Sequence, residues 1–485
     1  MGDEGDGMKL SKLIENLEVK KIIGSIDLDI KEVKIQSNSV TKGSLFICLN
    51  GGGFDGHDFV KQVENYGAVA VVTERELDTS LTQIIVENSR IAMSIIAGTF
   101  YGRADNKLKI IGVTGTNGKT TTTHYITSIL SASGVKCGLI GTLGVYYANK
   151  FIEPTLTTPD PIELHKIFKD MVDCGVKVVV MEVSAHAVYY KKVYGIDFEV
   201  GVFTNFSQDH LDFFNDMETY KKAKIGFFNE NNFKHIVINS DDNVGLEILN
   251  SRDGVISYGI NNPADVFAVN VKENLLSTSF VMNIFDCLYD IKLNLIGRFN
   301  VYNALAGATA CALYGVKTEK IYEGLEQLKG VAGRIECVHQ GKFNVFIDYA
   351  HTPDGLKNTL TTLKNLCANK LVCIFGCGGN RDKDKRPIMG VISGKIADYT
   401  ILTSDNPRFE EPMEIISEIE KGLLTVTKNY VIIQDRRQAI EYALGKANAG
   451  DTIVVCGKGS ERYQDVYGIK NLFNDKDTVM EILRG

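Results

Sequence analysis

The 485-residue sequence lacks any apolar run long enough to cross a bilayer, which takes about 20 residues. Its longest apolar runs are short ones such as Val178–Met181 and Ala68–Val72. The N-terminus, MGDEGDGMKL, is acidic and has no apolar segment of the kind that signal peptides carry. We therefore expect a cytoplasmic protein without a membrane span. Residues 1–7 are predicted to be a disordered leader or a cloning remnant.

The sequence also lacks a strong excess of charge of one sign. It has 53 basic and 60 acidic residues, a formal net charge of −7, which gives no general attraction to nucleic acid or acidic membranes. Apolar residues make up 44% and charged residues 23%, as in ordinary globular proteins. At about 150 residues per domain, the length predicts roughly three domains.

Paired cysteine motifs are missing as well. The ten cysteines are scattered, none forms a CxxC pair, and the closest spacing is Cys373-x-x-x-Cys377 without a histidine at metal-finger spacing. This pattern argues against a disulfide framework or a zinc site and favours reduced thiols.

What the sequence does have is an alternation of β-branched runs, glycine or aspartate turns and helical stretches. This alternation predicts an α/β fold with mainly parallel sheets. Three blocks can be drawn, at residues 8–105, 106–331 and 332–485, with the polar stretch YGRADNKLK (101–109) as a linker. In open α/β sheets ligands bind at the carboxyl ends of strands, so chemistry is expected in the loops there.

A glycine-rich loop, TGTNGKTTTT (114–123), follows the predicted strand KIIGV (109–113). The helix expected after it places Tyr125, Ile126, Ile129 and Leu130 on one face and stops at Gly134. Glycines let backbone N–H groups point at phosphate oxygens, Lys119 can reach the β- and γ-phosphates, and the Thr120 hydroxyl can ligate Mg²⁺. Although Val113 stands where a strict GxxxxGK[ST] motif has glycine, the order of elements predicts a nucleotide phosphate site rather than a turn that serves packing alone.

Two further strands of the second block end in polar segments, MEVSAHA (181–187) and NFSQDHLDFF (205–214). They place Glu182 and His210 near the phosphate loop, where a carboxylate suits the hard Mg²⁺ ion. A single histidine can equally be structural. Lys224, in YKKAK, reads on its own as a solvated helix lysine.

The third block has four such strand ends, in DYAHTPDGL (348–356), FGCGGNRDKDKRP (375–387), SDNPRFEEP (404–412) and CGKGSERYQ (456–464). Arg381 and Arg408 lie in two of them, and a guanidinium can bind a carboxylate through two parallel hydrogen bonds. Taken alone each could be a surface arginine; together they favour a small anionic substrate.

These motifs in combination resemble the Mur ligase family: TGTNGKT, EVSxH, NxSxDHLD, YxxAK, GRFNVYN, DYAHTPD, GCGGNRDKDKRP, DNPR and GKGxE. The resemblance covers residues 30–485 in order. It implies three domains: an N-terminal α/β domain that binds the UDP end of the substrate, a central P-loop ATPase and a C-terminal Rossmann-like domain. It also implies Mg²⁺ as cofactor, ATP as co-substrate, small-molecule substrates, no nucleic acid, and a monomer.

In this family ATP phosphorylates a substrate carboxylate, and an amino acid then attacks the acyl phosphate. The motifs fit the branch that adds diaminopimelate to a UDP-muramoyl-dipeptide in peptidoglycan synthesis. By resemblance the catalytic residues are Lys119, Lys224, His210 and Glu182. Mg²⁺ is held by Thr120, Glu182, His210 and Lys224 as a carbamate. The ATP contacts are Gly115, Thr116, Asn117, Gly118, Lys119, Thr120, Thr121, Asn300, Asn303, Arg334, Asp348 and His351.

The same resemblance assigns the other two substrates. The UDP-muramoyl-dipeptide contacts are Ser37, Thr157, Thr158, Ser184, Tyr190 and Lys192, and the diaminopimelate contacts are Arg381, Asp405, Asn406, Arg408, Gly457 and Glu461. Diaminopimelate has a second carboxylate that lysine lacks, which Arg408 can pair with, while Glu461 can bind the distal ammonium.

Several positions depart from the family pattern. Gln36-Ser37-Asn38 replaces the usual DSR, Tyr190 and Lys192 replace Gln and Arg, and Ala185 and Ala332 replace Ser and Pro. The alternatives are therefore a lysine-adding or paralogous ligase with a modified UDP-linked substrate, a folylpolyglutamate synthetase, and a P-loop regulatory NTPase without ligase activity.

Overall fold

The computed structural model describes residues 7–484. Of the predicted leader, residues 1–6 lie outside the described residues. The chain divides into two compact units, one made of residues up to Gly112, Lys136–Val200 and Ala223–Lys234, the other of Val113–Val135, Gly201–Lys222 and the chain from His235 onward. The predicted α/β class is confirmed, because helices alternate with three large sheets in which parallel pairs predominate or form the centre. The predicted domain boundaries stay a prediction.

A five-stranded sheet forms first along the chain. Its strands lie in the order Val19–Ile23, Thr82–Val86, Ala70–Thr73, Ser44–Ile47 and Glu32–Lys34. Only the first pair is antiparallel. Three of the strands are buried along their whole length, which explains their continuous apolar sequences.

An eleven-stranded sheet follows. Its order is Lys150–Ile152, Gly144–Tyr147, Cys137–Gly141, Val178–Glu182, Lys109–Thr114, Asp197–Phe203, Asn232–Asn239, Val255–Gly259, Val266–Glu273, Thr278–Ile284 and Cys287–Leu293. The last two strands pair antiparallel as a meander. The strands that precede the predicted phosphate loop and the Glu182 and Asn205 segments are neighbours near its centre, as parallel-strand chemistry requires.

A six-stranded sheet forms the last third of the chain. Its order is Glu336–Gln340, Asn344–Asp348, Thr452–Cys456, Leu371–Phe375, Tyr399–Leu402 and Tyr430–Ile432. All pairs but the first are parallel. Buried side chains cover both faces, which is typical of a doubly wound sheet. Two small pairs, Met8–Lys9 with Asp29–Ile30 and Tyr463–Val466 with Ile469–Leu472, complete the strands of the described chain.

The helices cover the sheets. The α-helices are Leu10–Leu13, Val60–Asn65, Ser89–Phe100, Lys119–Ala132, Pro161–Asp173, Ala185–Tyr189, Leu211–Phe214, Met217–Glu230, Asn243–Asn250, Arg298–Tyr314, Thr318–Gln327, Pro353–Leu366, Lys385–Ile396, Pro412–Leu423, Arg436–Lys446 and Asp475–Arg484. Within residues 7–484, none is long and apolar enough to cross a membrane.

The predicted linker differs from expectation. Residues 104–107 form a 3₁₀ turn, and the Asp105 side chain is buried, where it accepts a hydrogen bond from Arg103 at 2.7 Å. His165 lies 3.6 Å from the other carboxylate oxygen. The polar composition of this stretch therefore reflects a buried polar contact and not a solvated tether.

Candidate active site

The phosphate loop adopts the predicted strand–loop–helix form. Gly118, at φ +85°, caps the helix Lys119–Ala132, and the four predicted apolar positions of that helix are fully buried. A Cβ at Gly118 would lie 2.4 Å from Asn303 Oδ1, and a Cβ at Gly115 would lie 1.9 Å from Thr204 Oγ1. Both glycines are thus required by close neighbours as well as by their positive φ.

The NFSQDH segment fixes the shape of this loop. Asn117 N–H donates to Asn205 Oδ1 at 2.9 Å, and its carbonyl accepts from Thr204 Oγ1 at 2.7 Å. The Thr116 hydroxyl lies 3.1 Å from the Tyr220 hydroxyl. Burial raises the pKa of Tyr220 far above its ordinary value, so the phenol stays protonated. Thr204 and Tyr220 were missed by sequence analysis because nothing local marks them.

Lys119 and Thr120 stand at the mouth of the loop. The Lys119 ammonium donates to the carbonyls of Gly115 and Thr116, both at 2.8 Å. Arg334 donates to the Thr120 hydroxyl at 3.0 Å and stacks on Tyr349, with 4.4 Å from guanidinium carbon to ring centroid. The loop thus brings two cations to the place where a triphosphate would carry its charge.

Two predicted ATP contacts, Asn300 and Asn303, are joined to the loop. Both are buried on the helix Arg298–Tyr314, and Asn303 Nδ2 donates to Asn300 Oδ1 at 3.0 Å. Asp348, another predicted contact, accepts from Ile335 N–H, Ala350 N–H and the Thr359 hydroxyl at 2.8–3.0 Å. Burial raises the pKa of Asp348, and these bonds oppose that rise. Asp348 therefore also organises its own loop.

A cluster around Asp209 holds the two predicted histidines. Asp209 Oδ2 lies 3.2 Å from His210 Nε2 and 4.0 Å from His351 Nε2. Burial works to raise the pKa of Asp209, but the charges of His210, His351 and Lys385 hold it well below its ordinary value. The residue before His210 is a buried anion, which the sequence analysis did not single out.

Glu182 lies in the other compact unit and is almost fully buried. Its carboxylate accepts from Thr142 N–H at 2.9 Å and from the Thr142 hydroxyl at 3.0 Å. That hydroxyl lies 3.2 Å from the Thr157 hydroxyl. Thr142 was missed, although the sequence GTLG after a strand end is a signal of the kind that marked the other loops.

Around Glu182 the structure brings together four of the predicted UDP-muramoyl-dipeptide contacts. The Thr158 hydroxyl donates to the Glu182 carbonyl at 2.9 Å and accepts from Ser184 N–H at 3.1 Å. Lys192, which is buried, contacts the Thr158 carbonyl at 3.3 Å and Asp160 at 2.8 Å. Thr157 joins through Thr142. Ser184 also caps the helix Ala185–Tyr189.

The remaining two predicted contacts lie apart from this group. The guanidinium of Arg90 stacks on Tyr190 with 4.2 Å to the ring centroid and donates to the Asn50 carbonyl at 2.6 Å. Ser37 begins a 3₁₀ turn, Ser37–Ser39, and in the described part of the chain it makes no hydrogen bond to the Glu182 group.

Lys224 does not behave as a solvated helix lysine. It lies on the helix Met217–Glu230, and its exposed fraction is 1%. Because an unmodified ammonium is costly to bury, such a lysine needs a specific reason to be there.

The predicted diaminopimelate contacts lie on adjoining loops of the six-stranded sheet. Arg408, at φ +51°, donates through Nη1 to the Gly379 carbonyl at 2.8 Å. Asp405 lies close enough to Gly457 that a Cβ there would be 2.5 Å from its carboxylate. Asn406 Nδ2 donates to Glu461 Oε2 at 2.8 Å. Four of the six predicted residues thus form two contacting pairs.

Arg381 is the outer member of this set. It is exposed, and Nη1 lies 3.2 Å from Asp212 Oδ2 of the DHLD segment. Deeper in the same loop, buried Arg386 forks onto Glu410 at 2.9 and 3.0 Å. The hydrogen bond from Arg386 lowers the pKa of Glu410 to about 2.

Sequence analysis missed a second buried arginine behind these loops. Arg436 is fully enclosed and forks onto Asp475 at 2.7 and 2.8 Å. It also donates to the Cys456 carbonyl at 2.9 Å and to the Ser404 carbonyl at 3.5 Å. These carbonyls immediately precede Asp405 and Gly457, so Arg436 ties the two loops together from below.

The chemistry of the predicted magnesium ligands is suitable. The Thr120 hydroxyl and the Glu182 carboxylate are hard oxygen donors, the type that Mg²⁺ prefers. Among the side chains of residues 7–484, no three His, Cys, Asp or Glu residues are gathered as a ready-made metal site. The magnesium ligands therefore stay a prediction.

The loop–helix geometry on a mainly parallel sheet defines a P-loop nucleotide-binding protein. Three family models match the chain: "Mur ligase family, catalytic domain" at residues 29–101, "Mur ligase middle domain" at 113–311 and "Mur ligase, glutamate ligase domain" at 333–459. The chain belongs to the Mur ligase family, as its motifs indicated. Ligases of this family depend on ATP.

Curated relatives match over nearly the whole chain. A UDP-N-acetylmuramoyl-L-alanyl-D-glutamate–2,6-diaminopimelate ligase of Clostridium acetobutylicum is 42% identical, covering 98% of this chain and 99% of the relative. The enzyme of the same name from Bacillus cereus is 42% identical, covering 99% of each.

Solved structures agree with this likeness. A structure titled as that same ligase has a TM-score of 0.70 and 29% identity and covers 99% of both chains. A MurF ligase from Thermotoga maritima in complex with ADP has a TM-score of 0.61 at 18% identity, covering 93% of this chain and 96% of that one, a likeness of fold alone.

Proposed function

We propose that this chain is an ATP-dependent, ADP-forming amide ligase that adds meso-diaminopimelate to UDP-N-acetylmuramoyl-L-alanyl-D-glutamate in peptidoglycan precursor synthesis. The observation that carries the proposal is the pairing of a phosphate loop with a second set of loops that offers Arg408, Asn406 and Glu461. The 42% identity to relatives of that name supports it.

In the first step the γ-phosphoryl group of ATP passes to the terminal carboxylate of the dipeptide, which gives an acyl phosphate and ADP. Backbone N–H groups of the loop, Lys119 and Arg334 stabilise the transferring charge by position. The bonds from Asn205 and Thr204 hold Asn117 in place, so little reorganisation is needed when the phosphates bind.

In the second step the amine of diaminopimelate attacks the acyl carbon, and inorganic phosphate leaves as the amide forms. Arg408 is proposed to bind the distal carboxylate, since its guanidinium has a fixed bond only through Nη1 in the described chain. The Glu461 carboxylate is proposed to bind the distal ammonium. Lysine has no carboxylate for Arg408, so the guanidinium would stay unpaired with that substrate.

The other assignments are proposals on the family resemblance. Thr120, Glu182, His210 and carbamylated Lys224 are proposed to hold Mg²⁺, which would supply neutralisation of phosphate charge. A carbamate converts a buried cation into an oxygen ligand, which gives a reason for the burial of Lys224. We also propose a cytoplasmic monomer with domain boundaries near residues 105 and 331.

The reaction is tested by mass spectrometry of the UDP-linked product. Incubation with ATP, Mg²⁺, the UDP-muramoyl-dipeptide and meso-diaminopimelate should yield the tripeptide and one ADP for each amide bond. ADP without the tripeptide would favour the regulatory NTPase. A tripeptide made only with lysine would favour the lysine-adding alternative.

A further inference from the structure

Lys458 occupies an unusual position in the GKGSE segment. Its side chain is completely buried, although lysine is among the residues least often enclosed. Its ammonium donates to Asn406 Oδ1 at 2.9 Å and to Glu461 Oε2 at 2.8 Å. The face of Tyr463 lies 5.9 Å away. A buried cation with both an amide and a carboxylate partner is a fixed part of the structure.

These contacts determine how Asn406 and Glu461 are oriented. Asn406 Oδ1 accepts from Lys458 and from Asp465 N–H at 3.0 Å, which leaves Nδ2 to donate to Glu461. Glu461 Oε2 then accepts from both Lys458 and Asn406. In the described chain Glu461 Oε1 has no hydrogen bond, so it is the oxygen left for a ligand.

The charges point the same way. Glu461 and Lys458 neutralise each other, and Arg408 is the nearby cation of the SDNPR loop. A ligand head group with one ammonium and one carboxylate would add no net charge to this set. Such a zwitterion is what distinguishes the distal end of diaminopimelate from that of lysine, which is a cation alone.

We propose that Lys458 is a positioning and specificity-determining residue of the amino-acid site. It holds Asn406 and the Glu461 carboxylate in place and offsets the Glu461 charge, so that a zwitterionic end group is preferred over a lone ammonium. This inference rests on the proposed function, because it takes these loops to bind the incoming amino acid.

The test compares steady-state kinetics of wild type, Lys458→Met, Lys458→Arg and Lys470→Met in the complete protein. Lys470 is a matched control, since it is exposed and its ammonium also lies over Tyr463, at 4.4 Å. Loss of charge-assisted hydrogen bonds predicts that K458M raises the KM for diaminopimelate about tenfold or more. The KM for ATP should stay unchanged, and the preference for diaminopimelate over lysine should fall. K458R should recover part of both, and K470M should match wild type.

Equal losses for every substrate, together with a lower melting temperature, would show a merely structural role and overturn the inference. So would an unchanged KM for diaminopimelate in K458M. If K458M does not fold, the charge-preserving K458R decides: a selective rise in the KM for diaminopimelate supports positioning, and wild-type values overturn it. Failure of the wild-type protein to use diaminopimelate would instead refute the proposed function.

Discussion

Replacing Arg408 with alanine removes the group on which the choice of diaminopimelate depends. Arg408 is held by one bond, Nη1 to the Gly379 carbonyl at 2.8 Å, which fixes its direction and leaves the rest of the guanidinium for a carboxylate. Hydrogen bonds that involve charged groups contribute about 1.5–3 kcal/mol each. One such bond therefore corresponds to a loss of about 10- to 150-fold in kcat/KM for diaminopimelate.

Lysine makes no such bond, so its kcat/KM should hardly change in Arg408→Ala. The assay is phosphate release at varied amino acid with ATP and UDP-muramoyl-dipeptide saturating. Arg437→Ala is the control, because Arg437 is an exposed arginine of the same sheet's helices whose partner is Glu481 at 2.8 Å, and surface pairs contribute little. Equal losses with diaminopimelate and lysine, or no loss with either, would refute this account of Arg408.

Three other predictions follow from buried or strained positions. Lys224→Ala should lose ligation and regain part of it with added short carboxylic acids, measured as phosphate release; full residual activity would remove the carbamate. Gly118→Ala should raise the KM for ATP strongly because its Cβ meets Asn303 at 2.4 Å, whereas Gly134→Ala, with φ +77° but open space, should not. Since the pKa of Glu410 falls from 4.5 to about 2 on folding, its contribution to stability is present above pH about 4.5 and lost as pH falls through about 2; urea midpoints against pH should flatten in Glu410→Gln.

Local sequence patterns predicted the parts of this molecule that depend on local geometry. The strand, loop and helix around Lys119 follow from glycines and apolar spacing within about twenty residues, and the structure confirms their form. The loops with Arg408 and Glu461 were predicted in the same way, from polar segments after apolar strands.

Contacts between distant parts of the chain were beyond such reasoning. Arg436 and Asp475 are separated by 39 residues, and neither stands in a motif. Thr142 and Arg90 matter through partners 40 residues away. The burial of Lys224 was also missed, because a lysine in YKKAK has the same local pattern whether its helix face is solvated or enclosed.

The most direct test of the central claim is phosphate release by the purified protein with Mg²⁺-ATP and UDP-N-acetylmuramoyl-L-Ala-D-Glu, measured in parallel with meso-diaminopimelate, with L-lysine and with no amino acid. The account predicts release with diaminopimelate and far less in the other two reactions. Equal release in all three would contradict a ligase that selects its amino acid through Arg408. Release only with lysine would contradict the assignment of diaminopimelate.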